Sequence, residues 1–299
     1  MKAPYTYTAT VTSGSTFLSK VHDYVLLIKL RLSLMVVLSS VLGYLIASLG
    51  NTDYVTMSVL AVGGLFITAA ANALNQVLER EFDCFMPRTM NRPVTTGRMK
   101  SSEAVMFAGI TCLLGVGLLS SINTVTAFLG MLSMVTYAFV YTPLKRYSTL
   151  AVAIGAVPGA LPVLIGTTAF EGQMTYLGIS LFAIQFLWQF PHFWAIGFNS
   201  FEDYKKAGFK LIPSNNGEVD RSLGKNATVY SLLIIPVLIF MHYMSLIGLT
   251  SFLLLIVLTL FYSLFSLLFH LRFDKRSALK LMFFSFIYLP LFLLFILIF

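Results

Sequence analysis

The chain has 299 residues, is 58% hydrophobic and 11% charged, and carries a formal net charge of +8. A soluble domain is ~25% charged, so this chain lacks the polar surface to cover a globule of its size; a water-soluble enzyme, a nucleic-acid-binding module and a disordered protein are excluded. In so apolar a chain the basic excess marks the cytoplasmic side of a membrane rather than a nucleic-acid partner.

Residues 1–21 are polar and rich in Ser and Thr, lack the apolar core of a signal peptide, and read as a flexible cytoplasmic N-terminus. Nine apolar runs follow, each near the ~20 residues that a membrane-spanning helix needs: Tyr24–Leu49, Val55–Leu78, Ala104–Leu119, Thr124–Tyr141, Leu150–Thr168, Tyr176–Phe198, Ala227–Ile247, Thr250–Leu271 and Leu279–Ile298. They are long and continuous, without the period-two alternation of an outer-membrane barrel, so the expected fold class is all-α: a polytopic membrane bundle making one domain over residues 1–299.

Basic residues fall on alternate sides of these runs. Lys2, Lys20, Lys29 and Arg31 lie before or at the start of the first. The second connection holds Arg80, Arg88, Arg92, Arg98 and Lys100, and the fourth Lys145 and Arg146. The sixth holds Lys205, Lys206, Lys210, Arg221 and Lys225, and the eighth Arg272, Lys275 and Arg276, with Lys280 just beyond. The other connections carry only Asp53 and Glu171. This alternation puts the N-terminus in the cytoplasm and the C-terminus outside, in a multi-pass protein of a bacterial plasma membrane. No Asp, Glu, Lys or Arg sits mid-span, unlike many transporters. Polar chemistry collects at one face, which suits an enzyme opening to the cytoplasm. Cys84 and Cys112 give neither a disulfide framework nor a metal-ligand spacing.

Two constellations stand at that face. Asn75, Glu79 and Asp83 are spaced i, i+4, i+8 and form one helical stripe, with Asn72 a turn earlier. Oxygen ligands of this kind suit Mg²⁺, which takes carboxylates together with substrate phosphate oxygens. Arg88, Arg92 and Arg98 follow as fork-shaped phosphate donors. The stripe therefore reads as a metal–diphosphate clamp; the same spacing also suits a solvated helix end whose charges pair with one another. The sixth run repeats the plan: Asn199 and Asp203 at i, i+4, His192 two turns inside, and Lys205, Lys206 and Lys210 beyond. His192 reads either as a hydrogen-bonded packing residue or as a heme ligand.

Residues 72–100, 141–166 and 186–213 carry a resemblance. Asn75, Glu79 and Asp83, then Met86, Arg88, Thr89, Arg92 and Pro93, then Lys145, Arg146, Gly155 and Pro158, and finally Trp188, Gln189, Pro191, His192, Asp203, Tyr204, Gly208 and Pro213, resemble the UbiA superfamily of intramembrane prenyltransferases, in its heme-farnesylating branch. Two departures stand out. The usual Lys-Pro-Arg of the first helix reads Lys29-Leu30-Arg31, and Asn199 replaces an acid of the second motif.

The resemblance implies transfer of a farnesyl group from farnesyl diphosphate to a vinyl group of heme b, with addition of water. It implies Mg²⁺ on Asn75, Glu79, Asp83 and Asp203, which are also the catalytic set. Arg88, Arg92, Lys145, Arg146, His192, Asn199 and Lys206 become substrate-binding residues, and heme A synthase or a terminal oxidase the receiving partner. The alternatives are prenylation of a quinone-precursor ring and a non-enzymatic heme or lipid carrier.

Overall fold

The computed structural model describes residues 17–299. Among these residues, nine long helical segments stand where nine apolar runs are expected. They are α2 (Leu30–Ser48), α3 (Tyr54–Asp83), α4 (Ser101–Ile122), α5 (Thr124–Val135) continued by a π-helical turn (Thr136–Tyr141) and α6 (Thr142–Leu144), α7 (Ala151–Glu171), α8 (Tyr176–Asn199), α10 (Ser222–Leu232) with α11 (Ile234–Tyr243), α12 (Leu249–Arg272) and α13 (Lys275–Ile298). Eight of the nine are long and apolar enough to cross a membrane by length and composition. The exception, α8, is 24 residues long but carries Gln185, Gln189 and His192, all buried. Two short helices lie outside the spans, α1 (Phe17–Leu27) and α9 (Phe201–Lys206), and a two-stranded hairpin pairs β1 (Ser214–Asn215) with β2 (Glu218–Val219).

Two expectations are corrected. Residues 17–21 belong to α1 rather than to a flexible N-terminus, because Lys20 and Tyr24 both reach Glu103 on α4 and Asp23 accepts from Arg98; residues 1–16 lie outside the described ones. Asn199 and Asp203 do not share a helical stripe. Ser200, at φ −105° and ψ 16°, ends α8, and Asp203 belongs to α9.

The first run is also two helices. Lys29 is left-handed, at φ 49° and ψ 55°, although no proline follows it. A non-glycine residue seldom adopts that conformation, and α3 supplies its support. Gln76 Nε2 donates to the carbonyls of Leu26 and Leu27, and Asn72 Nδ2 and Ser33 Oγ donate to that of Ile28. Carbonyls that lose their helical partners at the break are thus paired, as buried backbone groups must be.

Two hydrophobic clusters flank a central pair, α2 and α7, each of which contributes to both. Lipid offers little hydrophobic drive between helices, so close packing through small residues holds such a pair. A Cβ on Gly166 would collide with the carbonyl oxygen of Ser40, and one on Gly43 with that of Val163. Gly166→Ala is therefore expected to lower stability by about 1–3 kcal/mol through overpacking, read as a lower Tm in detergent. Gly109→Ala, whose Cβ would meet nothing, serves as control. Mid-membrane polar groups are matched internally: Ser39 Oγ donates to Gln185 Oε1, Gln185 Nε2 to Gly159 O, and Gln189 Nε2 to Ala156 O. Pro162 leaves the carbonyl of Pro158 without its helical donor, and Ser133 Oγ supplies one at 3.3 Å.

Candidate active site

Helix α3 continues beyond its apolar run to Asp83, so Asn75, Glu79 and Asp83 lie on regular helix as their spacing predicts, and all three are buried. Their partners come from three other elements. Lys145 Nζ, just after α6, donates to Glu79 Oε1 at 2.7 Å. Arg92, from the connection after α3, donates from Nη1 to Asp83 Oδ2 at 2.5 Å and lies 3.7 Å from Glu79 Oε2. Lys29, in the break between α1 and α2, donates to Asn75 Oδ1 at 2.7 Å. Three basic side chains and the oxygen stripe thus meet at one point.

Burial alone would lower the Lys145 pKa; the adjacent Glu79 carboxylate more than offsets this and holds it above the ordinary lysine value. Lys145 also lies 4.3 Å from the centroid of the Tyr141 ring, which packs on Gly155 of α7; a Cβ there would come within 2.6 Å of the ring.

The donor set is an amide oxygen and two carboxylates, the hard ligands that suit Mg²⁺. Asp83 Oδ1 is buried with no hydrogen-bond partner, a costly condition for a carboxylate oxygen that a divalent cation at that point relieves. These residues fit the ion. The fourth expected ligand stands apart: among the described residues no group of three or more His, Cys, Asp or Glu is gathered for a metal. Asp203 approaches this region through Arg88, whose charge it influences and whose guanidinium lies 4.9 Å from the Tyr204 ring centroid. The backbone N–H of Lys210 donates to the Lys145 carbonyl at 2.6 Å, so the sixth connection docks on the fourth.

Several expected binding residues have structural partners. Arg146 donates to the Leu78 carbonyl and stacks 3.6 Å from the Phe82 ring centroid. Arg98 serves Asp23 and the Asn91 carbonyl, away from the acids. Asn199 Nδ2 turns back to the Ala195 carbonyl, and Lys206 is exposed on α9. His192 packs at 4.8 Å on Trp188, and its Nδ1 lies 2.7 Å from Ser285 Oγ. Ser285 gives its one proton to the Met282 carbonyl. It therefore accepts from His192, which places the imidazole proton on Nδ1 and the lone pair on Nε2.

Sequence reasoning missed Lys29 and Thr142 as members of this site. Lys29 read as a basic residue at the start of the first run and as part of the altered Lys29-Leu30-Arg31 motif, with no role in the site. The available signal was Asn72 and Gln76, two amides on an apolar helix that needed carbonyl partners from a broken neighbour. Thr142 accepts a hydrogen bond from Asn75 Nδ2 at 3.0 Å; it lies in the stretch of residues 141–146 that carries the family resemblance, which singled out Lys145 and Arg146 but gave Thr142 no role.

An all-helical membrane bundle with an acid stripe under basic connections has the architecture of an intramembrane prenyltransferase. The model of the UbiA prenyltransferase family matches residues 36–287, and the chain belongs to that family. Its relatives within the family include protoheme IX farnesyltransferases. That of Cytophaga hutchinsonii is 38% identical over 274 residues, covering 91% of this chain and 96% of its own. That of Christiangramia forsetii is 43% identical over 213 residues, covering 71% and 70%. The fold is similar to a digeranylgeranylglyceryl phosphate synthase, with a TM-score of 0.79 at 21% identity over 93% of this chain and 98% of that one. It is also similar to a UbiA homologue of Archaeoglobus fulgidus bound to GPP and Mg²⁺, with a TM-score of 0.66 at 14% identity over 92% and 99%.

Proposed function

We propose that this chain transfers the farnesyl group of farnesyl diphosphate to a vinyl group of protoheme IX, with addition of water. The observation that carries the reading is the junction of Glu79 and Asp83 with Lys145 and Arg92 at one end of the bundle. The names of the full-length relatives support the choice of acceptor. Asn75, Glu79 and Asp83 would hold Mg²⁺, and Asp203, which stands apart from them, is the further acid proposed for it. The ion, when bound, neutralises diphosphate charge and makes it a better leaving group.

The chain's own residues do the rest. Lys145 and Arg92 turn from the carboxylates toward diphosphate oxygens as charge builds there, and Arg88 adds a third cation. Tyr141 and Tyr137, with ring centroids 5.5 Å apart, present aromatic faces beside the allylic carbon as it becomes cationic. The surrounding apolar helices keep water from that cation until the heme vinyl group has attacked it. His192 offers its Nε2 lone pair to heme iron, and Lys206 and Asn199 lie on the side where propionates would sit.

Detergent-purified protein with farnesyl diphosphate, Mg²⁺ and heme b is expected to give a hydroxyethylfarnesyl heme by mass spectrometry. Prenylation of a 4-hydroxybenzoate-type ring instead would assign the quinone-precursor reaction, and no prenyl product with any acceptor would leave a carrier. The clamp faces the cytoplasm on this reading. A reporter fused after Phe299 is expected outside and one inserted near Arg98 inside; both on one side would defeat the nine-span orientation.

A further inference from the structure

We infer that Thr142 is a positioning residue that fixes which end of the Asn75 amide faces the diphosphate site; this rests on the metal role proposed for Asn75. The two ends of an asparagine side chain have nearly the same shape and opposite chemistry. The oxygen can accept a hydrogen bond or bind a hard cation, while the nitrogen can only donate. An asparagine ligand is therefore useful only if its amide is held one way round.

Two groups hold it from opposite sides. Thr142 Oγ1 donates its single proton to the Tyr137 carbonyl at 2.9 Å. Toward Asn75 it can only accept, and Asn75 Nδ2 meets it at 3.0 Å. On the other side Lys29 Nζ donates to Asn75 Oδ1 at 2.7 Å. Asn75 and Thr142 are both fully buried, so no water competes for these contacts. A flipped amide would lose the Lys29 hydrogen bond to Oδ1 and put its oxygen against a Thr142 oxygen without a proton to give. Oδ1 keeps a second lone pair beyond the one Lys29 uses.

The π-helical turn makes this possible. The backbone N–H of Thr142 bonds to the carbonyl of Tyr137, five residues back rather than four. One inserted residue rotates everything after it by ~100°, the angular step of a helix with 3.6 residues per turn. Thr142 reaches Asn75 and Lys145 reaches Glu79 on the same face of α3 as a result. The turn also concentrates two donors, the N–H and hydroxyl of Thr142, on the Tyr137 carbonyl. The hydroxyl proton is thereby held away from Asn75.

The test is a cycle read by Mn²⁺ affinity, with Mn²⁺ standing for Mg²⁺, measured by electron paramagnetic resonance on the whole protein in detergent with an unreactive farnesyl thiodiphosphate. Thr142→Val keeps the shape and removes the acceptor; it is expected to weaken Mn²⁺ by ~10–100-fold, the usual cost of losing a group that orients a metal ligand. Thr142→Ser keeps the hydroxyl and is expected to retain the native affinity. In an Asn75→Asp background both ends of the side chain are oxygen and orientation ceases to matter. Thr142→Val is therefore expected to cost nothing further there. Native affinity in Thr142→Val, or the same loss in both backgrounds, overturns the assignment, the second result marking a purely structural role. A native protein that fails to bind Mn²⁺ overturns instead the metal reading on which the assignment stands.

Discussion

Asp83→Asn is expected to remove nearly all prenyl transfer, by ~10²–10³-fold in kcat, the scale of losing one preorganised charge-stabilising group, while the protein still inserts and runs as a single species. The side chain is fully buried and Arg92 already satisfies one carboxylate oxygen, so its replacement by an amide conserves volume. What disappears is the charge and the oxygen that has no hydrogen-bond partner. Glu81→Gln, two residues away and exposed, is the control and is expected to keep native turnover. Equal losses in the two variants would make the α3 end an ordinary charged helix terminus.

The second large effect concerns Lys145 and Glu79, which are expected to separate stability from activity. Both are buried and pair at 2.7 Å. Removing one partner of a buried pair strands the other charge and costs ~3–5 kcal/mol, whereas replacing both by neutral groups is often nearly neutral. Lys145→Met alone should therefore lower Tm sharply. Lys145→Met with Glu79→Gln should recover most of that loss, although Arg92 then loses its weaker contact at 3.7 Å. Activity should stay absent in both, because the double change removes a cation and a carboxylate from the clamp. Recovery of turnover along with Tm would show that the pair serves folding only.

Much of this was legible along the chain. Asn75, Glu79 and Asp83 advertise themselves because a period of four on a helix needs only local geometry, and α3 does run on to Asp83. The apolar runs located the spans because each is long enough to be read by its own composition. Features set by a neighbour were not legible. Ser200 ends α8 and separates Asn199 from Asp203. The sequence there allows an unbroken helix equally well. Lys29 adopts its left-handed conformation without a proline because Gln76 and Asn72, more than forty residues on, take up the carbonyls it releases. Thr142 acquires its role from an extra residue in the preceding turn, which no side-chain pattern records.

The polar groups inside the bundle have a consequence for energetics in a living membrane. Ser39, Gln185 and Gln189 bond as neutral hydroxyls and amides, while the ionised clamp of Glu79, Asp83, Arg92 and Lys145 sits at one end. A charge carried across the bilayer couples to the transmembrane voltage by ~2.3 kcal/mol per 100 mV. On the proposed reading no charge has to traverse that field, since the diphosphate would bind and leave at the clamp's end of the bundle. Turnover in sealed vesicles is accordingly expected to be the same whether an ionophore has collapsed the potential or not.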